Sequence, residues 1–169
     1  PLSRIPKRNP KLKLLKKYRR TQPMNGVLVT LSIGDILTRD SAARLEEVRA
    51  IRQRLSELDE FLQARVPVYL VLTKADLLTG FVEFFDGFSK TDREQVWGTT
   101  FALEESYKAE NLPERYLEEF ALLQERVGAM LIERLQQEPS SQLRGRIFRF
   151  PAELAALKER LHDVLAELC

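Results

Sequence analysis

Apolar residues recur along this chain with two different periods. Val27-Leu28-Val29-Thr30-Leu31-Ser32-Ile33 and Val68-Tyr69-Leu70-Val71-Leu72 are short, β-rich and almost continuously apolar, the pattern of strands buried on both faces of a sheet. Between them, from Ser41 to Ala64, Leu45, Val48, Ile51, Leu55, Leu58 and Leu62 recur every three or four residues, which sets them on one face of a helix. Asp40 or Ser41 is suited to cap its start, and Pro67 stops it. Strand, helix, strand is a βαβ unit, so the two strands are expected to run parallel through a right-handed crossover.

The next strand candidate, Arg146-Ile147-Phe148-Arg149-Phe150, lies far downstream. The connection before it is much longer than a single crossover helix requires, which predicts a mostly helical insertion at about residues 80–145. An aromatic cluster, Phe81, Phe84, Phe85 and Phe88, opens it around the Asp86-Gly87 turn. Thr91-Asp92-Arg93-Glu94 reads as a capping box starting a short helix towards Trp97. After Pro113, a favourable first helical residue, Leu117, Phe120, Val127, Leu131 and Leu135 mark a long amphipathic helix to about Gln137. The third strand runs into Pro151, and Leu154, Leu157, Leu161, Val164 and Leu168 define a terminal helix. This alternation predicts an α/β fold, the distal strands and helices of a doubly wound parallel sheet. Three strands are few for such a sheet, and its first strand has an unpaired edge. Upstream strands would account for both, with Pro1 as a cut within a longer protein.

Composition narrows the class. With 169 residues, 44% of them hydrophobic, the chain is suited to bury a core, and a disordered chain is excluded. The single Cys169 and single His162 exclude an intrachain disulfide and a Cys/His zinc site, which points to a cytosolic compartment. No apolar run approaches the ~20 residues needed to cross a bilayer. The formal net charge of +2 conceals an asymmetry: residues 1–23 hold nine Lys or Arg and no acid, whereas residues 24–169 hold 18 basic and 25 acidic residues. The chain therefore divides into a basic arm, 1–23, and an acidic body, 24–169. In the arm, Leu12, Leu14, Leu15 and Tyr18 sit among Lys11, Lys13, Lys16, Lys17, Arg19 and Arg20, and one short helix is expected before Thr21-Gln22-Pro23. Such an arm suits an anionic membrane surface or a protein partner, and equally a plain exposed linker. The acidic body, which has no groove-reading motif, disfavours nucleic acid as a partner.

The sharpest chemical signal is Thr73-Lys74-Ala75-Asp76, directly after the second buried strand. It resembles the [NT]-K-x-D element of P-loop GTPases, in which the lysine packs along the guanine plane and the aspartate accepts hydrogen bonds from the base. A carboxylate is able to take the two donors of guanine's edge, a pair that adenine does not offer there. The plainer account is a solvated strand-end turn with Asp76 capping the next helix. A phosphate loop needs G-x-x-x-x-G-K-[ST], and no two glycines here stand five apart. This chain by itself is therefore expected to have no phosphoryl-transfer activity, no catalytic residue and no metal ligands. Phe81, Phe84, Phe85 and Trp97 read as a partner-docking surface or as a satellite core under the insertion.

Taken together, Asn25-Gly26-Val27-Leu28-Val29-Thr30-Leu31-Ser32, Pro67 through Leu78, Gly80-Phe81, Glu83-Phe84-Phe85, Arg93-Glu94-Gln95-Val96-Trp97-Gly98 and Arg146 through Pro151 resemble the IcmF (TssM) family of inner-membrane proteins of bacterial type VI secretion systems. The resemblance implies the C-terminal part of an NTPase-like domain of P-loop GTPase-like type on the cytoplasmic face of the inner membrane, the membrane anchor lying outside this chain. It implies a structural and assembly role, with TssL and baseplate components as partners and TssJ reached through other regions of the full protein. Thr73, Lys74 and Asp76 are then the base-binding residues by resemblance. GTP or ATP with Mg belongs, if anywhere, to the full-length protein, with no cofactor in this chain. The alternative is a nucleotide-hydrolysing GTPase-superfamily domain whose phosphate-binding half lies upstream. The family's Ser-Ala-Lys turn after the last strand is replaced here by Phe150-Pro151-Ala152.

Overall fold

The structure, a computed structural model, describes residues 14, 17, 18, 24–63, 66–101 and 111–169. Strands β1 (Val27–Ser32) and β2 (Val68–Thr73) pair in parallel, from Val27 opposite Val68 to Ser32 opposite Thr73. Their connection holds α1 (Ile33–Thr38) and α2 (Ser41–Leu62). Of the two expected caps for α2, Asp40 is the one used: its carboxylate accepts from the Ala43 amide at 2.7 Å. The helix ends at Leu62, two residues before the expected Ala64, and Gln63 after it lies in the left-handed region. A single 3-10 turn, Ala75–Leu77, follows β2, then α3 (Phe81–Asp86), α4 (Lys90–Arg93), α5 (Leu112–Gln137), α6 (Ser141–Ala155) and α7 (Lys158–Leu168). Pro113 falls in the first turn of α5 as expected.

The class is mixed α/β but mostly helical, and among the described residues the sheet has two parallel strands. Arg146–Phe150 is not a third strand; it lies inside α6. Ser140 caps that helix, its hydroxyl accepting from the Leu143 amide. Ile147, Phe150 and Leu154 then recur at helical spacing and are buried, while Phe148 is 64% exposed. Pro151 sits within the helix, where it has no N–H for the Ile147 carbonyl, a loss that ordinarily costs ~3 kcal/mol; the buried stripe on either side outweighs it. The terminal helix predicted after Pro151 is accordingly two helices, breaking at Ala156-Leu157. The capping box also shifts. Ser89, not Thr91, caps α4, accepting from the Asp92 amide at 3.2 Å and donating to its carboxylate at 2.6 Å.

The strands are covered on one face, not both. Val29 and Leu31 are buried and Leu70 and Leu72 pack on the core, whereas Leu28 is 70% exposed and Tyr69 and Val71 are also open. The core is one cluster that joins Leu31, Ile33, Ile36 and Val48 to Phe84, Phe120, Val127, Ile147, Phe150, Leu161 and Val164. It needs two local devices. Gly80, at φ 85°, opens α3 so close to α6 that any Cβ would collide with the Arg146 carbonyl, a position reserved for glycine. Arg134 of α5 is buried and closes the other end of α3. Its Nε donates to the Phe84 carbonyl at 2.7 Å, and its guanidinium stands 5.7 Å from the Phe88 ring centroid.

Candidate functional site

The carboxyl ends of parallel strands are where α/β sheets bind ligands, and the Thr73-Lys74-Ala75-Asp76 turn lies there. Thr73 ends β2, and its hydroxyl donates to the Leu31 carbonyl of β1 at 3.3 Å. Lys74 then adopts a left-handed backbone, φ 59°, a strained choice for a residue with a Cβ. Its carbonyl accepts from the Leu77 amide at 3.1 Å, which closes the 3-10 turn. The Lys74 and Asp76 side chains are both exposed. Asp76 stands inside this turn and does not cap the following helix, since α3 begins at Phe81, with Gly80 before it and no side-chain cap.

Beside Thr73 is a cleft of about 190 Å³, lined by Thr30, Ser32 and Thr73 from the strands and by Asp35, Arg39, Arg44 and Glu47 from α1, α2 and the loop between. Its charges are largely matched within the protein. Arg39 lies 3.4 Å from Asp35 and 2.9 Å from Glu47. Arg44 is only 7% exposed; it donates to the Ile36 carbonyl at 3.2 Å and reaches Asp163 of α7 at 3.8 Å, while its Nε has no partner. Arg160 of α7 donates to the Leu37 carbonyl at 2.7 Å. Two arginines thus hold the end of α1 at the strand edge. Among the described residues no group of His, Cys, Asp or Glu is placed to hold a metal ion.

The aromatic block is brought together. Phe81 lies 4.9 Å from Phe85 and 5.5 Å from Trp97 by ring centroids, and Phe84 lies 5.0 Å from Phe150. Phe84 is fully buried, whereas Trp97 keeps an exposed side. Phe150-Pro151-Ala152, expected to follow a strand, is instead part of α6. Of the basic arm, Lys17 is described, with Leu14 and Tyr18, on helical backbone; Lys11, Lys13, Lys16, Arg19 and Arg20 lie outside the described residues.

Sequence reasoning missed Arg44, Arg134 and Arg160. For the first two a signal existed: Arg44 stands four residues before Val48, and Arg134 seven after Val127, on the apolar stripes of their helices. A cation on a buried stripe is one that bonds carbonyls. Two further groups feel their surroundings. Arg146 bonds Glu83 at 2.8 Å and holds its carboxyl below the usual range, and burial pushes the Tyr116 phenol up.

Fold and site together define a mostly helical α/β domain with a charged turn and a polar cleft at the carboxyl ends of a parallel strand pair. Over residues 12–169 the chain matches the IcmF-related N-terminal domain, and it belongs to that family. It is 44% identical over 154 residues to the type VI secretion system component TssM1 of Pseudomonas aeruginosa. That match covers 91% of this chain and 14% of the relative, so the chain spans a small part of the relative's length. No solved structure matches it significantly. Among the described residues no helix is long and apolar enough to cross a membrane.

Proposed function

We propose that this domain is a structural and assembly element of a type VI secretion membrane complex, positioned on the cytoplasmic face of the inner membrane and contacting TssL and baseplate components. The observation that carries this reading is the 44% identity, over 91% of the chain, to a protein named as a type VI secretion component. The test is retention of TssL or baseplate proteins by the immobilised, folded domain. Clean failure with both partners counts against the proposal.

A second reading, an NTPase-like domain that reads a nucleotide base, is supported by Thr73, Lys74 and Asp76 lying together at the end of β2. The phosphate-binding residues and Mg would then belong to other parts of a longer protein. Calorimetry of that longer protein with GTP and with ATP tests it. Heat of binding that disappears in Asp76→Ala supports base reading by this turn. No binding, or binding indifferent to the substitution, ends it.

A further inference from the structure

After α4 the chain crosses the aromatic block with little to hold it there. The Gln95 amide donates to the Asp92 carbonyl at 3.2 Å. Beyond it, Val96 to Phe101 form neither helix nor strand and, among the described residues, make no main-chain hydrogen bond. Side chains hold the segment instead. The Trp97 ring stands 5.5 Å from that of Phe81, 5.3 Å from Phe85 and 6.3 Å from Phe150 by centroids, in the tilted and edge-on arrangements that aromatic pairs favour. The Thr99 hydroxyl donates to the Glu119 carboxylate of α5 at 3.2 Å, in the open, and Phe101 rests against the core. The residues on either side of the tryptophan touch little. Val96 is 94% exposed, and a Cβ on Gly98 would meet no atom within 4 Å.

The rings under Trp97 are held without it. Phe81, Phe85 and Phe150 stack on one another at 4.9, 5.7 and 5.8 Å. The helices that carry them, α3 and α6, are joined by the close approach at Gly80 and by the Arg146–Glu83 ion pair. Trp97 therefore sits in a slot whose walls are fixed by other contacts. We infer that residues 95–100 are a strap and that Trp97 is the chain's own occupant of a slot built for an aromatic side chain. A partner segment that presents such a side chain takes the slot when the strap lifts. The walls choose this occupant: three rings offer edges and faces to a fourth, and the charged pair on the same two helices, Glu83 and Arg146, is closed on itself at 2.8 Å. Lifting breaks few contacts and, for residues 96–100, no main-chain bond, the condition under which a segment opens while the rest stays folded. The strap is thus an autoinhibitory cover over an aromatic face.

Two measurements on the full chain test this. In the first, Trp97→Ala and the parent are titrated with N-acetyl-L-tryptophanamide and followed by nuclear magnetic resonance, with N-acetyl-L-leucinamide as the aliphatic control. Trp97→Ala is expected to keep a cooperative thermal transition and to bind the tryptophan amide about tenfold more tightly than the parent, whose slot is filled most of the time. In the second, chymotrypsin cleavage of the parent after Trp97, identified by mass, reports the lifted strap, because the ring must leave its slot to be cut. Its rate should vary with urea several times less steeply than global unfolding followed by circular dichroism, and Thr99→Val should raise it about fivefold. An unfolded Trp97→Ala chain overturns the inference, since the ring would then be core. So does a folded variant that binds no tryptophan amide, that binds the leucine amide as well, or that binds no better than the parent. Cleavage after Trp97 with the urea dependence of global unfolding overturns the strap.

Discussion

Two adjacent residues of α6 separate a helix from a strand. Ile147 is completely buried and Phe148 is 64% exposed; in a strand, Phe148 would share a face with Phe150 and be the buried one. Ile147→Ala removes three carbons from the core, at ~0.8 kcal/mol each, and the space left behind adds to the loss at ~24 cal/mol per Å³. The expected destabilisation is about 3–4 kcal/mol, a fall of roughly 10 °C in thermal midpoint for a chain of this size. Phe148→Ser, on the water side, is expected to stay within about 0.5 kcal/mol of the parent. Urea titrations followed by far-ultraviolet circular dichroism and by Trp97 fluorescence measure both. The Trp97 ring lies 6.3 Å from that of Phe150 and so reports on the same packing. A loss above about 2 kcal/mol for Phe148→Ser, with Ile147→Ala tolerated, would refute the helical placement of the whole 141–155 segment.

Three more substitutions probe the contacts around α3. Gly80→Ala meets both a positive φ and the Arg146 carbonyl, and a loss of at least ~2 kcal/mol is expected in the same titration; a neutral result would mean that α3 and α6 do not approach as described. Arg134→Met keeps the apolar stem but leaves the Phe84 carbonyl without its donor; a cost of about 2 kcal/mol is expected, and Arg134→Met as stable as the parent would count against that bond. For Glu83, the Arg146 hydrogen bond lowers the folded pKa below the ordinary 4.5, so its stabilisation is complete above about pH 4.5 and fades as pH falls through the lower folded value. The difference in melting temperature between the parent and Glu83→Gln should be flat near neutrality and close in acid, and a difference that persists to about pH 2 contradicts the pairing.

The β1-α2-β2 unit was legible because each of its patterns runs uninterrupted and is punctuated by a residue with one local use, Asp40 as a cap and Pro67 as a stop. The long helix from Pro113 to Gln137 was legible for the same reason. Arg146–Phe150 was not. Five residues containing Ile147, Phe148 and Phe150 fit a period of two as well as one of 3.6, and Pro151 reads as a terminator unless the burial on both sides of it is known. The two-faced burial expected of β1 and β2 failed for a related reason: β-branched and aromatic residues mark a strand, but they do not say which of its faces is covered. At the site, the Thr73-Lys74-Ala75-Asp76 turn was visible as a motif. The cleft beside it was not, because Arg39, Arg44 and Glu47 reach the strand end only through the angle at which α2 leaves α1.

The open side of the sheet governs how concentrated solutions of this domain behave. Leu28, Tyr69 and Val71 form an apolar strip, and a pair of strands whose outer edges pair with no other strand among the described residues is a template on which another copy is able to add. Colloidal stability then depends on long-range repulsion between acidic bodies, which the basic arms of neighbouring molecules oppose and salt screens. Light scattering should rise with concentration more steeply for the parent than for Val71→Lys, a substitution that places a charge on the strip and leaves every buried side chain where it is. Solubility, on this account, is decided by three side chains of the sheet and not by the core beneath them.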